Sequence, residues 1–223
     1  MADARILIVD DHPLFREALR HALGTAKSHL EISEADSLNS LTAKLADDDS
    51  CDLVLLDLRM PGVQGLSGLI YLRSQYPNIP VVIISANEEA GIVQRSLDLG
   101  ASGFIPKSSG TAVIIEAVET VLAGGVWTPP WADREVAVDP EIAAIARRVA
   151  SLTAQQIRVL MMLKEGLLNK QIAHALDVSE ATVKAHVSAI LLKLGVASRT
   201  QAVIAASKLA GASEMQVTLR RQP

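Results

Sequence analysis

The chain has 223 residues, 49% of them hydrophobic but only 3% aromatic, which suits two modest domains with aliphatic cores and excludes a disulfide framework, since Cys51 is the only cysteine. No apolar stretch approaches the ~20 residues that cross a bilayer, and the opening MADARILIVDD has no signal-peptide pattern, so a cytoplasmic protein without membrane partners is expected. The net charge of −4 hides an asymmetry: residues 1–150 carry 12 Lys+Arg against 21 Asp+Glu, whereas residues 151–223 carry 9 against 4, so an acidic half that handles cations is joined to a basic half suited to a polyanion.

In chain order, the apolar runs ARILIVDD, LVLLD, IPVVIIS and SGFIP are short and bounded by acids, glycine or proline, as strands of a buried parallel sheet are. LEISEA alternates and reads as an edge strand. Helical spacing lies between them. PLFREALRHALG opens on an early proline and is expected to close on Gly24, with Leu14, Ala18, Leu19 and Ala22 on one face. Segments 37–47, 65–75, 88–99 and 109–124 have the same character. The alternation predicts an α/β fold with a five-stranded doubly wound parallel sheet, whose ligands sit beyond the carboxyl ends of the strands.

That edge gathers polar groups. Asp10 and Asp11 end the first strand, Asp57 the third and Ser85 the fourth, and Lys107 follows the fifth. Clustered carboxylates in a poorly hydrated place need neutralising, and Mg²⁺, an oxygen-seeking cation that often shares its shell with a phosphoryl group, is the natural remedy. Lysine and hydroxyl at the rim suit the remaining phosphoryl oxygens. His12, beside Pro13, has no second histidine at ligand spacing and reads as a helix-entry residue. Met60-Pro61-Gly62 reads as a turn out of the strand.

Residues 1–124, through Asp10-Asp11, Asp57 in LLDLRMPG, Ser85-Ala86, Phe104 and Lys107, resemble a receiver domain of a bacterial two-component response regulator, which implies a flavodoxin-like fold. The resemblance implies that Asp57 accepts a phosphoryl group from a sensor histidine kinase or a small acyl phosphate. Asp10 and Asp11 would hold Mg²⁺ with Asp57 and the backbone carbonyl of Arg59. Ser85 would move to meet the phosphoryl group, and Phe104 would rotate with it. One departure is IPKSSG, with proline before rather than after the lysine; a cis bond between Lys107 and Ser108 would be costly.

Residues 125–150, rich in Pro, Gly and Trp, read as a linker that includes a helix starting at Pro140. From Leu152 the pattern is helical. Thr153 and Gln156 form a capping box before a helix that closes at Gly166, and Asn169 is expected to cap KQIAHAL. After the turn Asp177-Val178-Ser179, Ser179 caps EATVKAHVSAILLKL, with Val183, Val187, Ile190, Leu191 and Leu194 inward and Thr182, Lys184, Ala185 and Ser188 outward. Helix, turn, helix of this kind suits a recognition helix in a DNA major groove.

Residues 151–212, with NKQIA, TVKAH, KLGV and SRTQAV at their mutual spacings, resemble the LuxR-type four-helix output domain of the NarL/FixJ class. By resemblance, Lys184 contacts bases or adjacent phosphates of double-stranded promoter DNA. Thr182, His186, Lys170, Lys193 and Arg199 position the backbone, with Ser188 beside them. Gln155-Gln156 replaces the family's frequent Arg-Glu, removing a salt bridge. The closing helix RTQAVIAASKLAG and the family pattern imply a homodimer when active, with RNA polymerase a further candidate partner. Residues 213–223 read as a mobile tail. The combined expectation is a regulator in which phosphorylation of Asp57 unmasks the basic half or promotes its dimerisation, not an enzyme beyond its own aspartyl phosphorylation and dephosphorylation.

Overall fold

The structure, a computed structural model, describes residues 4–26, 30–47, 50–60, 63–132 and 140–210. Two compact units divide the chain, residues 1–137 and 138–223. The stretch 125–150, read as a linker, is therefore shared between them, and the tail 213–223 lies outside the described residues.

In the first unit, β1 (Ala4–Val9), β2 (Leu30–Ala35), β3 (Leu53–Asp57), β6 (Val81–Ser85) and β7 (Gly103–Pro106) form one sheet in the order β2-β1-β3-β6-β7. All its pairings are parallel. Strands β3, β6 and β7 are buried throughout, which is why they read as continuous apolar runs, whereas β2 alternates and sits at the sheet edge. Helices α1 (Pro13–Ala26), α2 (Leu38–Asp47), α3 (Ser67–Gln75), α4 (Ala90–Asp98) and α5 (Thr111–Leu122) fill the connections. Ile6, Ile8, Leu53, Leu55, Val82, Ile84 and Ile105 build one core with Leu19 and Leu23 of α1 and Ile114, Ala117, Val118 and Val121 of α5.

The reading of helix α1 is corrected. Helix α1 runs past Gly24 to Ala26, and its buried residues are Leu19 and Leu23 with Phe15 packed beside them; Leu14 is 83% exposed and Ala18 is also outside. Helical geometry puts positions 15, 19 and 23 in line, a stripe one residue on from the one that begins at Leu14. After Asp57 the chain makes a small antiparallel pair, β4 (Arg59–Met60) with β5 (Val63–Gln64). The expected turn at Pro61 and Gly62 lies outside the described residues.

Past α5 the chain returns to the sheet. Trp127, 9% exposed, bridges to Gly103: its N–H donates to the Ser102 carbonyl, and its own carbonyl accepts from the Phe104 N–H at 3.1 Å. A Cβ on Gly103 would lie 2.8 Å from that carbonyl, so only glycine permits the approach.

The second unit is all helix: α6 (Pro140–Ala150), α7 (Ala154–Lys164), α8 (Asn169–Leu176), α9 (Glu180–Leu194) and α10 (Arg199–Ala210). Helix α6 belongs to this unit, its Arg148 donating to the Leu194 carbonyl and its Glu141 pairing with Lys208 of α10 at 2.7 Å. The Thr153–Gln156 capping box forms as expected. Asn169 does not cap α8; Leu168 holds that position, and the Gln171 side chain accepts from its N–H at 2.7 Å. Ser179 caps α9 by accepting from the Thr182 N–H, and Gly195 ends it at φ +67°. Val183, Ile190 and Leu194 are fully inside, with Val187 and Leu191 half-buried along the same stripe.

Candidate functional site

The acidic pocket forms because three parallel strands stop together. Leu53, Leu55 and Asp57 alternate on the core side of β3, so the strand's last inward position carries a carboxylate instead of a hydrophobe. Asp57 is 3% exposed and Asp10, just past β1, is 2% exposed. The Lys107 ammonium lies 2.6 Å from Asp10 Oδ2 and donates to Asp57 Oδ2 at 3.0 Å, with its charge 4.7 Å above the Phe15 ring. Burial pushes the Asp57 carboxyl above its usual range; the hydrogen bond from Lys107 opposes this, the Asp10 charge adds to the rise, and a backbone hydrogen bond from Arg59 favours the ionised form.

Ser85, fully buried, faces the same edge. Its carbonyl accepts from the Lys107 N–H at 2.8 Å, and its hydroxyl accepts from the Asn87 N–H. The loop IPKSSG needs no cis bond, since every described peptide bond is trans. Instead the Ser109 N–H closes a turn on the Pro106 carbonyl, and the Ser108 hydroxyl donates to Glu88 in the loop after β6. Phe104 is packed with no exposure.

In the second unit, Lys184, Thr182, Ala185 and Ser188 lie exposed on α9, and His186 is half-buried. Lys184 pairs loosely with Glu180 at 3.1 Å on the solvent face, and Lys170 is exposed on α8. Lys193 and Arg199 are occupied internally. Lys193 donates to the Ser151 carbonyl at 2.8 Å and to Gln156 Oε1 at 2.9 Å, so Gln156 keeps as a hydrogen bond the contact that a glutamate would make as a salt bridge. Arg199 donates to the Leu167 carbonyl.

Residues 6–119 match the family described as "Response regulator receiver domain", and residues 150–206 match "Bacterial regulatory proteins, luxR family". The chain is a two-component response regulator of the NarL/FixJ class. The regulator is 44% identical to a glycerol metabolism activator of Pseudomonas putida over 92% of this chain and 96% of that one, and 33% identical to the nitrate/nitrite response regulator NarP of Escherichia coli over 90% and 93%. Among solved structures, a LuxR family DNA-binding response regulator from Silicibacter pomeroyi is 34% identical with a TM-score of 0.52, covering 57% of this chain and 98% of that one. RcsB of Salmonella typhimurium shares the fold at a TM-score of 0.57 and 22% identity, covering 93% of this chain and 99% of that one.

The regulator's pocket has the chemistry of a divalent-cation site. Asp10, Asp11, His12 and Asp57 bring one donor atom each within 4.8 Å of one another. Buried Asp10 Oδ2 and Asp11 Oδ1 accept no hydrogen bond; the contacts of Lys107 and His12 with them are charge contacts of poor hydrogen-bond geometry. Buried anionic oxygens left in this condition are what a hard cation satisfies. His12 is the member that sequence reasoning set aside: its companions are not other histidines but carboxylates, one of them 45 positions away on β3.

Proposed function

We propose that the regulator is switched by phosphorylation of Asp57 and acts by binding promoter DNA through α8 and α9. The observation that carries this is the buried Asp57 carboxylate 3.0 Å from the Lys107 ammonium at the sheet's carboxyl edge. An Asp57 oxygen attacks the phosphorus of a sensor kinase's phosphohistidine or of an acyl phosphate, and the bond to the donor breaks with its electron pair. Lys107 and the Ser85 hydroxyl then bind the transferred oxygens, replacing solvent with fixed donors. Asp10, Asp11, Asp57 and the Arg59 carbonyl would hold Mg²⁺, which when bound would neutralise charge that builds up during the transfer.

The new dianionic group competes for Lys107 and Ser85, and Phe104, on the strand between them, follows their movement. Homodimerisation then presents two copies of α9 to a two-fold site. Lys184 reads or flanks bases, and Lys170, Thr182, His186 and Ser188 meet the backbone. Lys193 and Arg199 add charge while holding the helices together. Among the described residues no single helix is long and apolar enough to cross a membrane. The description of a 44%-identical relative as an activator favours activation over repression.

The deciding experiment is labelling by an acyl phosphate with Mg²⁺. Wild type takes up one phosphoryl group, hydrolysed in base as an acyl phosphate is, and Asp57→Asn takes up none. Undiminished labelling of Asp57→Asn would overturn the assignment.

A further inference from the structure

We infer that Trp127 is a latch that ties the chain leaving α5 to the strand carrying Phe104, so that a displacement of β7 on phosphorylation is handed to the segment leading to the helical unit. This rests on the phosphorylation of Asp57 proposed above. A tight reversal brings the chain back to the sheet. The Gly125 N–H donates to the Thr120 carbonyl, Gly124 lies at φ +86°, and a Cβ on Gly125 would meet Thr120 Cγ2 at 2.9 Å, so the turn after α5 is built for glycine. Val126 is then exposed, while the Trp127 ring enters the core shared by β6, β7 and α5, with its indole N–H donating to Glu116 Oε1 at 3.4 Å.

The joint itself is one residue long. The Trp127 N–H donates to the Ser102 carbonyl at 3.2 Å and the Trp127 carbonyl accepts from the Phe104 N–H at 3.1 Å, so the two bonds straddle Gly103. Pro129 and Pro130 have no N–H to extend the pairing. A joint this short can open while the five-stranded sheet stays paired. Beyond it the same two prolines restrict φ, so the stretch passes on a displacement that a flexible linker would absorb. On its other side β7 is tied to the phosphoacceptor: the Lys107 N–H donates to the Ser85 carbonyl at 2.8 Å and the Lys107 ammonium to Asp57. A phosphoryl group that draws Lys107 and Ser85 towards itself shifts the strand between Ser102 and Lys107, and the shift reaches Trp127 through the Phe104 N–H. A mere seal of the sheet edge would pass through phosphorylation unchanged, whereas a latch changes with it.

Amide hydrogen exchange on the full chain, with and without acyl phosphate and Mg²⁺, reads the joint directly. Protection of the Phe104 and Trp127 amides is expected to change together on phosphorylation. The second measurement uses Gly103→Ala, whose Cβ, 2.8 Å from the Trp127 carbonyl, forces the joint apart. The probe is a DNA duplex that the wild-type protein selects from a random library. Wild-type affinity for it should change ~5-fold or more on phosphorylation, while Gly103→Ala should take up the same label at Asp57 with an affinity ratio near one. Unchanged protection of both amides in fully labelled wild type, or a wild-type affinity ratio in labelled Gly103→Ala, overturns the latch and leaves the phosphorylation reading standing. Where Gly103→Ala takes no label, the wild-type exchange result decides. Failure of wild type to take up a phosphoryl group overturns both readings.

Discussion

Lys107 is shared by two buried carboxylates, Asp10 and Asp57, at 2.6 and 3.0 Å. Lys107→Met keeps most of the stem that covers Phe15 but strands both acids. Removing one partner of a buried ion pair costs ~3–5 kcal/mol, and the lower end applies because the Lys107 side chain is 15% exposed and water can enter where it was. Both tryptophans, Trp127 and Trp131, lie in the first unit, so tryptophan fluorescence follows that unit alone. In urea with a chelator, a loss of ~3 kcal/mol at a slope of ~1.5 kcal/mol/M moves its midpoint down by ~2 M. Saturating Mg²⁺ should then narrow the gap, since the metal takes over the neutralisation and, at 100 times its Kd, adds ~2.7 kcal/mol to whichever protein binds it. The variant, freed of a competing ammonium, should bind Mg²⁺ more tightly than wild type, so that the same Mg²⁺ concentration stabilises it more. A midpoint equal to wild type in chelator, or a gap that Mg²⁺ leaves unchanged, would refute the reasoning.

Lys184→Ala should weaken binding to a cognate site and, if the lysine reads a base, remove ~1–3 kcal/mol of discrimination at that position; equal affinities in a salt-controlled titration would argue against its placement. Burial alone pushes the Lys164 ammonium below its usual value, so Lys164→Met should raise stability at neutral pH. The advantage is full while the lysine is charged both folded and unfolded, and shrinks as pH rises through its lowered value; calorimetry that finds the gap widening with pH would contradict this. Gly195→Ala places a side chain at φ +67°, with its Cβ 3.2 Å from Arg148 Nη1, and should cost ~1–2 kcal/mol in thermal unfolding of the helical unit.

The sheet was legible because parallel strands buried on both faces leave continuous apolar runs, and Asp57 stood out as an acid where such a run should have continued. Strand-end positions then brought Asp10, Asp57, Ser85 and Lys107 together without knowledge of any helix orientation. What escaped was set by partners distant in sequence. Leu14 and Ala18 form as regular a stripe as the one that faces the sheet, and only tertiary packing chooses between them. Lys193 and Arg199 looked like free surface charge because their acceptors, the carbonyls of Ser151 and Leu167, are backbone atoms with no sequence signature. Asn169 is a better capping residue than Leu168 by propensity, yet Gln171 satisfies the helix entry from the other direction. His12 stands at the entry of α1 as read, and what the sequence did not announce is that its Nδ1 lies 3.0 Å from Asp10 and 2.8 Å from Asp11.

The return of Trp127 to the sheet bears on how two receivers can meet. Strand β7 is an edge, and edges invite pairing with another chain. Here the backbone donors and acceptors at Ser102 and Phe104 are already engaged by the protein's own next segment. At the opposite edge, β2 carries Glu31 and Glu34, held by Arg5 and by Arg16 and Arg20. One border is sealed by the chain itself and the other is guarded by charge, so sheet extension is disfavoured at both. A proposed pairing of two copies would then rest on side-chain contacts, which can be made and released, rather than on a backbone ladder that would hold the copies permanently.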